Sequence, residues 1–153
     1  MNSMTIRRAT LADADTIASF NRSLAEETEG RTLAAEVIGR GVRRVLSDPA
    51  LGVYYVAEHD GRVIGQLLIT FEFSDWRDGV FWWIQSVFVH PSARRGGVYR
   101  ALHCYVEEEA RRAGGCGLRL YVDKRNTRAQ QVYRSLGLTP TEYDLYENDW
   151  SAP

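Results

Sequence analysis

The stretch VFVHPSARRGGVYRAL, residues 87–102, decides how this chain folds. Val87–Val89 is an apolar strand end, and the His-Pro pair that follows stops the strand. Gly96 and Gly97 come next, and an apolar run with helical spacing begins at Val98. The stretch therefore predicts a strand, a tight glycine turn and the N-terminus of a helix in direct succession.

A turn of this composition, at this place, is typical of a phosphate-binding site. The first N–H groups of a helix have no partners inside the helix, and together with the helix dipole they favour an anion. Glycine lets the backbone approach a ligand closely, and Arg94 and Arg95 can add charge-assisted hydrogen bonds. A surface turn with solvated arginines is the alternative. A Walker loop is excluded because no Gly-Lys-Ser/Thr follows, and the Gly-x-Gly-x-x-Gly dinucleotide motif is absent.

Length and composition limit the possible classes of protein. The 153 residues predict one domain, 1–153. A net charge of -1, from 19 basic and 20 acidic residues, argues against nucleic acid or an anionic membrane as the partner. No apolar run approaches the about 20 residues that span a bilayer, and the N-terminus lacks a signal-peptide core, so we expect a cytoplasmic protein. Cys104 and Cys116 have no metal-ligand spacing, so no metal is predicted.

The predicted elements follow the order β-α-α-β-β-β-α-β-α-β. They cover residues 5–10, 11–24, 33–46, 52–58, 62–73, 78–89, 98–113, 117–122, 126–136 and 141–147. The acidic link AEETEGR, residues 25–31, is expected to join the first two helices as a loop. The order predicts an α/β fold with an antiparallel meander, followed by a crossover that places two strands in parallel.

Two stretches of the chain resemble the GNAT superfamily of acetyl-CoA-dependent N-acetyltransferases. VFVHPSARRGGVYRAL is similar to the acyl-coenzyme-A motif of that family, Gln/Arg-x-x-Gly-x-Gly/Ala between a strand and a helix. Arg94 and Gly97 match the motif, whereas Tyr99 stands where the family has Gly or Ala. NTRAQQVYRSLGL is similar to the family block Asn-x-x-Ala-x-x-x-Tyr-x-x-x-Gly, which falls here on Asn126, Ala129, Tyr133 and Gly137. The order of elements also agrees, so the resemblance covers nearly the whole chain.

The resemblance implies a GNAT-like mixed sheet with acetyl-CoA lying between two splayed parallel strands. Val87 and Val89 would pair through their backbones with the pantetheine, and the N–H groups from Arg95 to Arg100 would hold the pyrophosphate. The Tyr99 phenol is expected to turn outward. Asn126 would contact the coenzyme, or would simply cap its helix. The predicted coenzyme-binding residues are Val87, Phe88, Val89, Arg94, Arg95, Gly96, Gly97, Val98, Tyr99, Arg100, Asn126 and Ala129.

Acetyl transfer to an amine requires two proton movements. An alkylamine has a pKa of about 10.4, so roughly one molecule in a thousand is neutral at pH 7. The departing thiolate then needs a proton, and the resemblance implies that Tyr133 supplies it as general acid. The alternative is a core tyrosine, because Tyr133 lies on the apolar face of the last predicted helix.

The general base is not evident from the sequence. Where relatives that acetylate small amines often have Glu, this chain has Gln85, which cannot accept a proton but can orient the amine or hold a water. Glu72 is the nearest carboxylate on the preceding strand, with Glu27 in the acidic link second. Strand alternation places Trp83 on the face of Gln85 and Val87, where its ring can attract a cationic amine. The candidate acceptor residues are therefore Glu27, Glu72 and Trp83.

The favoured function is an N-acetyltransferase for the primary amine of a small, basic or amino-acid-like acceptor. A protein N-terminal or lysine acetyltransferase and a non-catalytic acyl-CoA-binding regulator are the alternatives. The last predicted strand, TEYDLYE, leaves an open edge, so a homodimer through that end is expected.

Overall fold

A five-stranded sheet with the strand order β1-β2-β3-β4-β5 is the centre of the computed structural model, which describes residues 3–151. The strands are β1 (Thr5–Arg8), β2 (Val53–His59), β3 (Arg62–Ser74), β4 (Gly79–Val89) and β5 (Gly117–Arg119). β1 to β4 pair antiparallel, and β4 pairs with β5 in parallel. The predicted α/β class, an antiparallel meander followed by a parallel pair, is confirmed.

Residues 3–151 also contain four α-helices. They are α1 (Ala14–Glu29), α2 (Ala35–Ser47), α3 (Val98–Arg112) and α4 (Thr127–Ser135). The predicted loop over the acidic link is wrong, because α1 runs through it to Glu29. The link contains three Glu and one Ala, which favour helix. The helix then stops at Gly30, whose φ of 59° is the left-handed conformation of a helix C-terminus. Glu27 is thereby placed on the last turn of α1.

α3 lies on one face of the sheet, and α1 and α2 lie on the other. α3 packs on one face, where Leu102 and Val106 join Leu67 and Ile69 in the larger buried cluster. α1 and α2 contribute to a second buried cluster with β2, made by Ala14, Ile17, Val42, Tyr54 and Val56. Removing such side chains from water supplies most of the driving force for folding.

A β-bulge interrupts β4 at Gln85. Leu68 of β3 pairs with Ser86, but its neighbour Ile69 pairs with Ile84. Gln85 is therefore an extra residue with no counterpart on β3. An extra residue of this kind bends the strand locally and reverses its alternation of side chains.

The bulge changes which side chains of β4 share a face. Ile84 and Val87 both pack against the core under α3, although their separation of three residues would place them on opposite faces of a regular strand. Phe88 instead contacts Phe20 of α1, with ring centroids 4.9 Å apart. The predicted face that joined Val87 to Gln85 is therefore wrong, because the bulge separates the two.

The chain divides into two compact units, Met1–Tyr121 and Val122–Pro153. The first holds the sheet with α1, α2 and α3, and the second holds α4. The predicted last strand is wrong: within the described part of the second unit, residues 141–147 form no strand. Tyr143, Leu145 and Tyr146 are exposed there. One domain over 1–153 stays a prediction.

Residues 3–151 contain neither a candidate membrane-spanning helix nor a candidate metal cluster. No helix in that range is both long enough and apolar enough to cross a membrane. The same range contains no group of three or more His, Cys, Asp or Glu side chains arranged to hold a metal ion.

Candidate active site

β4 and β5 separate after a short parallel pairing. Only Phe81, Trp82 and Trp83 have partners on β5 in the described range, and they pair with Gly117, Leu118 and Arg119. β5 ends at Arg119, earlier than the predicted end at residue 122, while β4 continues to Val89. The β5 side of β4 is therefore open along its second half. An extended ligand can add to such an edge by backbone hydrogen bonds.

The loop after β4 consists of successive tight turns. Its first turn is held by His90, whose Nδ1 accepts a hydrogen bond from the Ser92 backbone N–H at 3.2 Å. Arg95 and Gly97 then take left-handed conformations, with φ of 66° and 77°. Left-handed residues within a turn aim successive N–H groups toward one point, which is a recurrent anion-binding arrangement.

The helix that follows adds further donors. α3 begins at Val98, and Ala101 donates to the Gly97 carbonyl oxygen at 3.0 Å, closing the first turn. The N–H groups that precede this bond lie in the first turn, where a helix generally provides no internal acceptor. A Cβ placed on Gly97 would meet nothing within 4 Å, so the space before it is open. The residues present thus fit a pyrophosphate.

The Arg94 side chain forms its hydrogen bonds with other groups of the protein. Its Nε donates to the Val89 carbonyl oxygen at 2.9 Å, and its Nη2 lies 2.7 Å from Oε2 of Glu27. The guanidinium also lies over the Phe88 ring, 5.4 Å from its centre. Arg94 therefore fastens the loop to β4 and α1. Glu27, predicted as an acceptor residue, is here the partner of Arg94.

Tyr99 does not adopt the expected outward orientation. Its side chain is half-buried against the α3 core, and its hydroxyl lies 3.0 Å from Nδ1 of His103. His103 is fully buried, and burial lowers the pKa of its imidazole. The buried hydrogen-bonding partner one helical turn away gives the phenol a site inside the protein, which explains the difference. Only the backbone of Tyr99 then remains at the N-terminus of α3.

A group of polar and aromatic side chains lies on the sheet face opposite α3, beside the opening of the strands. We call it the aromatic–polar face, made of Thr70, Glu72, Phe81, Trp83, Gln85, Arg119 and Tyr121. Gln85 donates from Nε2 to the Thr70 hydroxyl at 2.9 Å, and its Oε1 accepts from the Tyr121 hydroxyl at 3.0 Å. The amide at the bulge is therefore held in one orientation by β3 and by the residues after β5.

Glu72 and Arg119 form the charged part of this face. Oε1 of Glu72 accepts from Nη1 of Arg119 at 2.7 Å and from the Trp83 indole at 3.3 Å. The Arg119 guanidinium lies 3.7 Å from the centre of the Phe81 ring. The rings of Trp83 and Tyr121 are 5.9 Å apart. The structure thus brings together three predicted residues, Glu72, Trp83 and Gln85, with partners that were not predicted.

Arg119 and Tyr121 were missed because no motif contains them. Alternation along GLRLYV places both on one face of a strand predicted to lie parallel to β4. Together with the pairing register of β4 and β5, that pattern places both residues beside Trp83.

The predicted residues of the second unit lie on α4. Asn126 caps this helix, since its Oδ1 accepts the Ala129 backbone N–H at 3.1 Å. Tyr133 is partly buried, and burial raises the pKa of its phenol above the usual value of about 10. The Asn126 cap was one of the two roles expected for this residue.

The five-stranded sheet with its parallel β4–β5 pair, and the glycine loop of residues 94–97 before α3, match the fold expected from the two sequence motifs. The chain belongs to the Acetyltransferase (GNAT) family, whose model it matches over residues 14–138. The resemblance seen in the two sequence motifs is therefore confirmed.

Two known proteins illustrate this relationship. An L-methionine sulfoximine/L-methionine sulfone acetyltransferase of Salmonella typhimurium is 33% identical over 102 residues, which are 65% of this chain and 55% of that protein. The match thus spans about half the length of this relative. The crystal structure of a possible acetyltransferase from Clostridium difficile 630 has 41% identity and a TM-score of 0.90, covering 95% of this chain and 97% of that one.

A more distant structure supports the fold alone. An aminoglycoside N-acetyltransferase solved in complex with CoA has 19% identity and a TM-score of 0.82, covering 98% of this chain and 97% of that chain.

Proposed function

We propose that the protein transfers an acetyl group from acetyl-CoA to the primary amine of a small, amino-acid-like acceptor. The observation that carries this proposal is the position of the glycine loop. It lies at the end of β4, whose open edge follows the aromatic–polar face along the same strand. A coenzyme bound to loop and edge would present its thioester to an acceptor on that face.

The coenzyme would be held mainly by backbone. The N–H groups of the loop and first helical turn, from Arg95 through Gly96, Gly97, Val98 and Tyr99 to Arg100, would bind the pyrophosphate. The open edge at Val87, Phe88 and Val89 would pair with the pantetheine. Arg94 would act by fixing the loop, since Glu27 and Val89 hold its guanidinium. Asn126 and Ala129 are carried over as coenzyme contacts from the family motif.

The reaction requires the residues to manage two protons. The neutral amine would attack the thioester carbonyl carbon, so that a C–N bond forms and the C–S bond breaks. The amine nitrogen would give up its proton to water, either directly or by a relay to Glu72. Tyr133 would protonate the departing thiolate as general acid. Gln85 would orient the amine, because its amide is already fixed between Thr70 and Tyr121.

The paired charges favour an amino-acid-like acceptor over a simple cation. Glu72 and Glu27 were the acidic residues expected to attract a basic acceptor, yet each contacts an arginine. The aromatic–polar face therefore offers one positive and one negative group side by side, which matches a zwitterion. The Salmonella relative is named for amino-acid acceptors, which agrees with this choice.

A thiol-release assay tests the function. Acetyl-CoA is supplied with L-methionine sulfone, L-methionine sulfoximine, L-lysine, a polyamine and a peptide with a free N-terminus. We expect release of CoA with the neutral amino acids. Release with the peptide alone would indicate a protein N-terminal or lysine acetyltransferase. No release with any amine, while CoA still binds, would favour the regulatory module.

The pH dependence of kcat/KM identifies the path of the amine proton. If the enzyme binds the rare neutral amine, the rate should rise with pH toward the pKa of the acceptor, and Gln85→Glu should raise activity at neutral pH by adding a base. If Glu72 relays the proton through water, the profile should level off at lower pH, and Glu72→Gln should remove that break. Superimposable profiles for the wild type, Gln85→Glu and Glu72→Gln would show that neither position takes part in removing the amine proton.

We also propose a homodimer. Its support is an exposed apolar surface, and not the strand that was predicted for residues 141–147. Exposed large apolar side chains in the second unit, among them Leu145 and Trp150, are typical of an association surface. Light scattering should show about twice the 17.4 kDa of one chain. A single species at the mass of one chain would contradict the dimer.

A further inference from the structure

We propose that Arg119 binds the α-carboxylate of the acceptor and that Glu72 is the residue that positions Arg119. The inference rests on the proposed function and names the feature of the acceptor that the site recognises. It makes Arg119 the residue that separates α-amino acids from simple amines.

The Arg119 guanidinium is immobilised before any ligand arrives. Phe81 lies 3.7 Å from it, Glu72 accepts from its Nη1 at 2.7 Å, and its backbone is paired with Trp83 on β4. Only 27% of the side chain is exposed, against 47% for Glu72. A long side chain that is already ordered loses little further entropy when a ligand binds, so its hydrogen bonds contribute more fully to affinity.

The remaining hydrogen-bonding capacity of Arg119 suits a carboxylate. A guanidinium has five N–H donors in one plane, and Glu72 engages Nη1. Because the Phe81 ring lies against the flat face, a ligand can be bound at the edge of the guanidinium, in its plane. The planar fork matches a carboxylate with two parallel hydrogen bonds, which an ammonium group does not reproduce.

The location of Arg119 directs an amino acid toward the chemistry. Its strand partner Trp83 precedes Gln85 by two residues, and residues two apart on a strand face lie roughly 6–7 Å from each other. A carboxylate on Arg119 therefore leaves the neighbouring amine directed toward Gln85, where β4 begins its open edge. The rings of Trp83 and Tyr121 would flank the acceptor side chain.

A purely structural role for the Glu72–Arg119 pair is the competing explanation. Partly exposed ion pairs contribute little to stability, so that role predicts no effect that depends on the acceptor. The two explanations are separable with a matched pair of probes, L-methionine sulfone and 3-(methylsulfonyl)propan-1-amine. These share the amine and the side chain, and they differ by the carboxylate.

The test compares both probes on the wild type and on Arg119→Met. We expect Arg119→Met to raise KM for L-methionine sulfone roughly tenfold to a hundredfold, the effect of losing hydrogen bonds to a charged group, with kcat little changed. The kinetics with the decarboxylated amine should not change. Arg119→Lys keeps the charge but lacks the planar fork of the guanidinium. Its KM for L-methionine sulfone should therefore fall between those of the wild type and Arg119→Met. Equal changes for both probes, or none, would overturn the assignment.

Arg77 provides the matched control. Its guanidinium also lies over the Phe81 ring, at 5.0 Å, but its recorded side-chain hydrogen bond is to Ser74. Arg77→Met should leave KM unchanged for both probes. A KM increase for L-methionine sulfone as large as that of Arg119→Met would mean that general loss of charge or packing is responsible.

Calorimetric titration separates failure of this inference from failure of the proposed function. L-methionine sulfone is titrated into the CoA-loaded protein, which requires no turnover. Binding that Arg119→Met weakens, in a protein that acetylates neither probe, would refute the acetyltransferase and support the Arg119 assignment. Turnover of both probes with equal KM in the wild type would support the acetyltransferase and overturn the assignment. Failure of the wild type to bind L-methionine sulfone would also overturn it.

Discussion

Tyr133→Phe is expected to lower kcat about a hundredfold to ten-thousandfold, the usual loss when a general acid is removed. The substitution keeps the ring and its packing and deletes only the hydroxyl. CoA affinity should therefore change little. A kcat close to that of the wild type would show that Tyr133 is a core residue and that another group protonates the thiolate.

The pH profile of kcat adds a second readout for Tyr133. Burial raises the pKa of this phenol above the usual value of about 10. A group with a raised pKa keeps its proton to higher pH, so Tyr133 should remain a competent acid throughout the neutral range. Wild-type kcat should accordingly show no decrease between pH 7 and about 10.

Tyr143 offers the control for this prediction. It is a tyrosine of the same unit, 78% exposed and outside the family motif. Tyr143→Phe removes the same atom, and it should leave kcat and its pH profile unaltered. A decrease in kcat as large as that of Tyr133→Phe would point to a general effect on the second unit.

Gly97→Val is expected to weaken CoA binding at least tenfold while the fold persists. A Cβ at this position would meet nothing within 4 Å, so the expected effect does not come from a clash within the protein. It comes from the φ of 77°, which costs a residue with a side chain about 1–2 kcal/mol and a β-branched residue more. The loop should relieve this strain by changing conformation, which moves the N–H groups away from the pyrophosphate.

Gly114 gives a control with the same backbone strain at the other end of α3. Its φ is 76°, and a Cβ there would also meet nothing within 4 Å. Gly114→Val should destabilise the protein to a similar extent and leave CoA affinity intact. Calorimetric titration of both folded variants with CoA provides the comparison. Equal affinities for the two would remove the glycine loop from the proposed site.

Local rules of the chain explain what could be predicted. The His-Pro stop, the two glycines and the apolar period from Val98 act over a few residues, and α3 begins where they indicate. The Asn126 cap is equally local, since donor and acceptor are three residues apart. The same holds for the order of β2, β3, β4 and β5, because two of their connections are short and the third crosses over with α3 alone.

Contacts between residues that are distant in the sequence explain which features could not be predicted. Arg94 meets Glu27 across 67 positions, and Glu72 meets Arg119 across 47. Neither pairing follows from sequence spacing, because the chain contains many acidic residues that could pair with a given arginine. The sequence alone therefore predicts that both carboxylates are available to an acceptor. The Tyr99 contact is different, because its partner His103 is only four residues away, but the burial of His103 that orients the phenol is decided by tertiary packing.

The sequence by itself indicated the family through its two motifs. It also determined the glycine loop and the start of α3, because these depend on backbone conformations that individual residues favour locally. Tertiary structure alone decided the bulge at Gln85, because a bulge exists only in relation to the register of the neighbouring strand. It also decided that TEYDLYE forms no strand, since a strand requires a hydrogen-bonding partner as well as a suitable pattern. The aromatic–polar face depends on both the bulge and the early end of β5. The composition of the candidate acceptor site was therefore settled only when the strands paired.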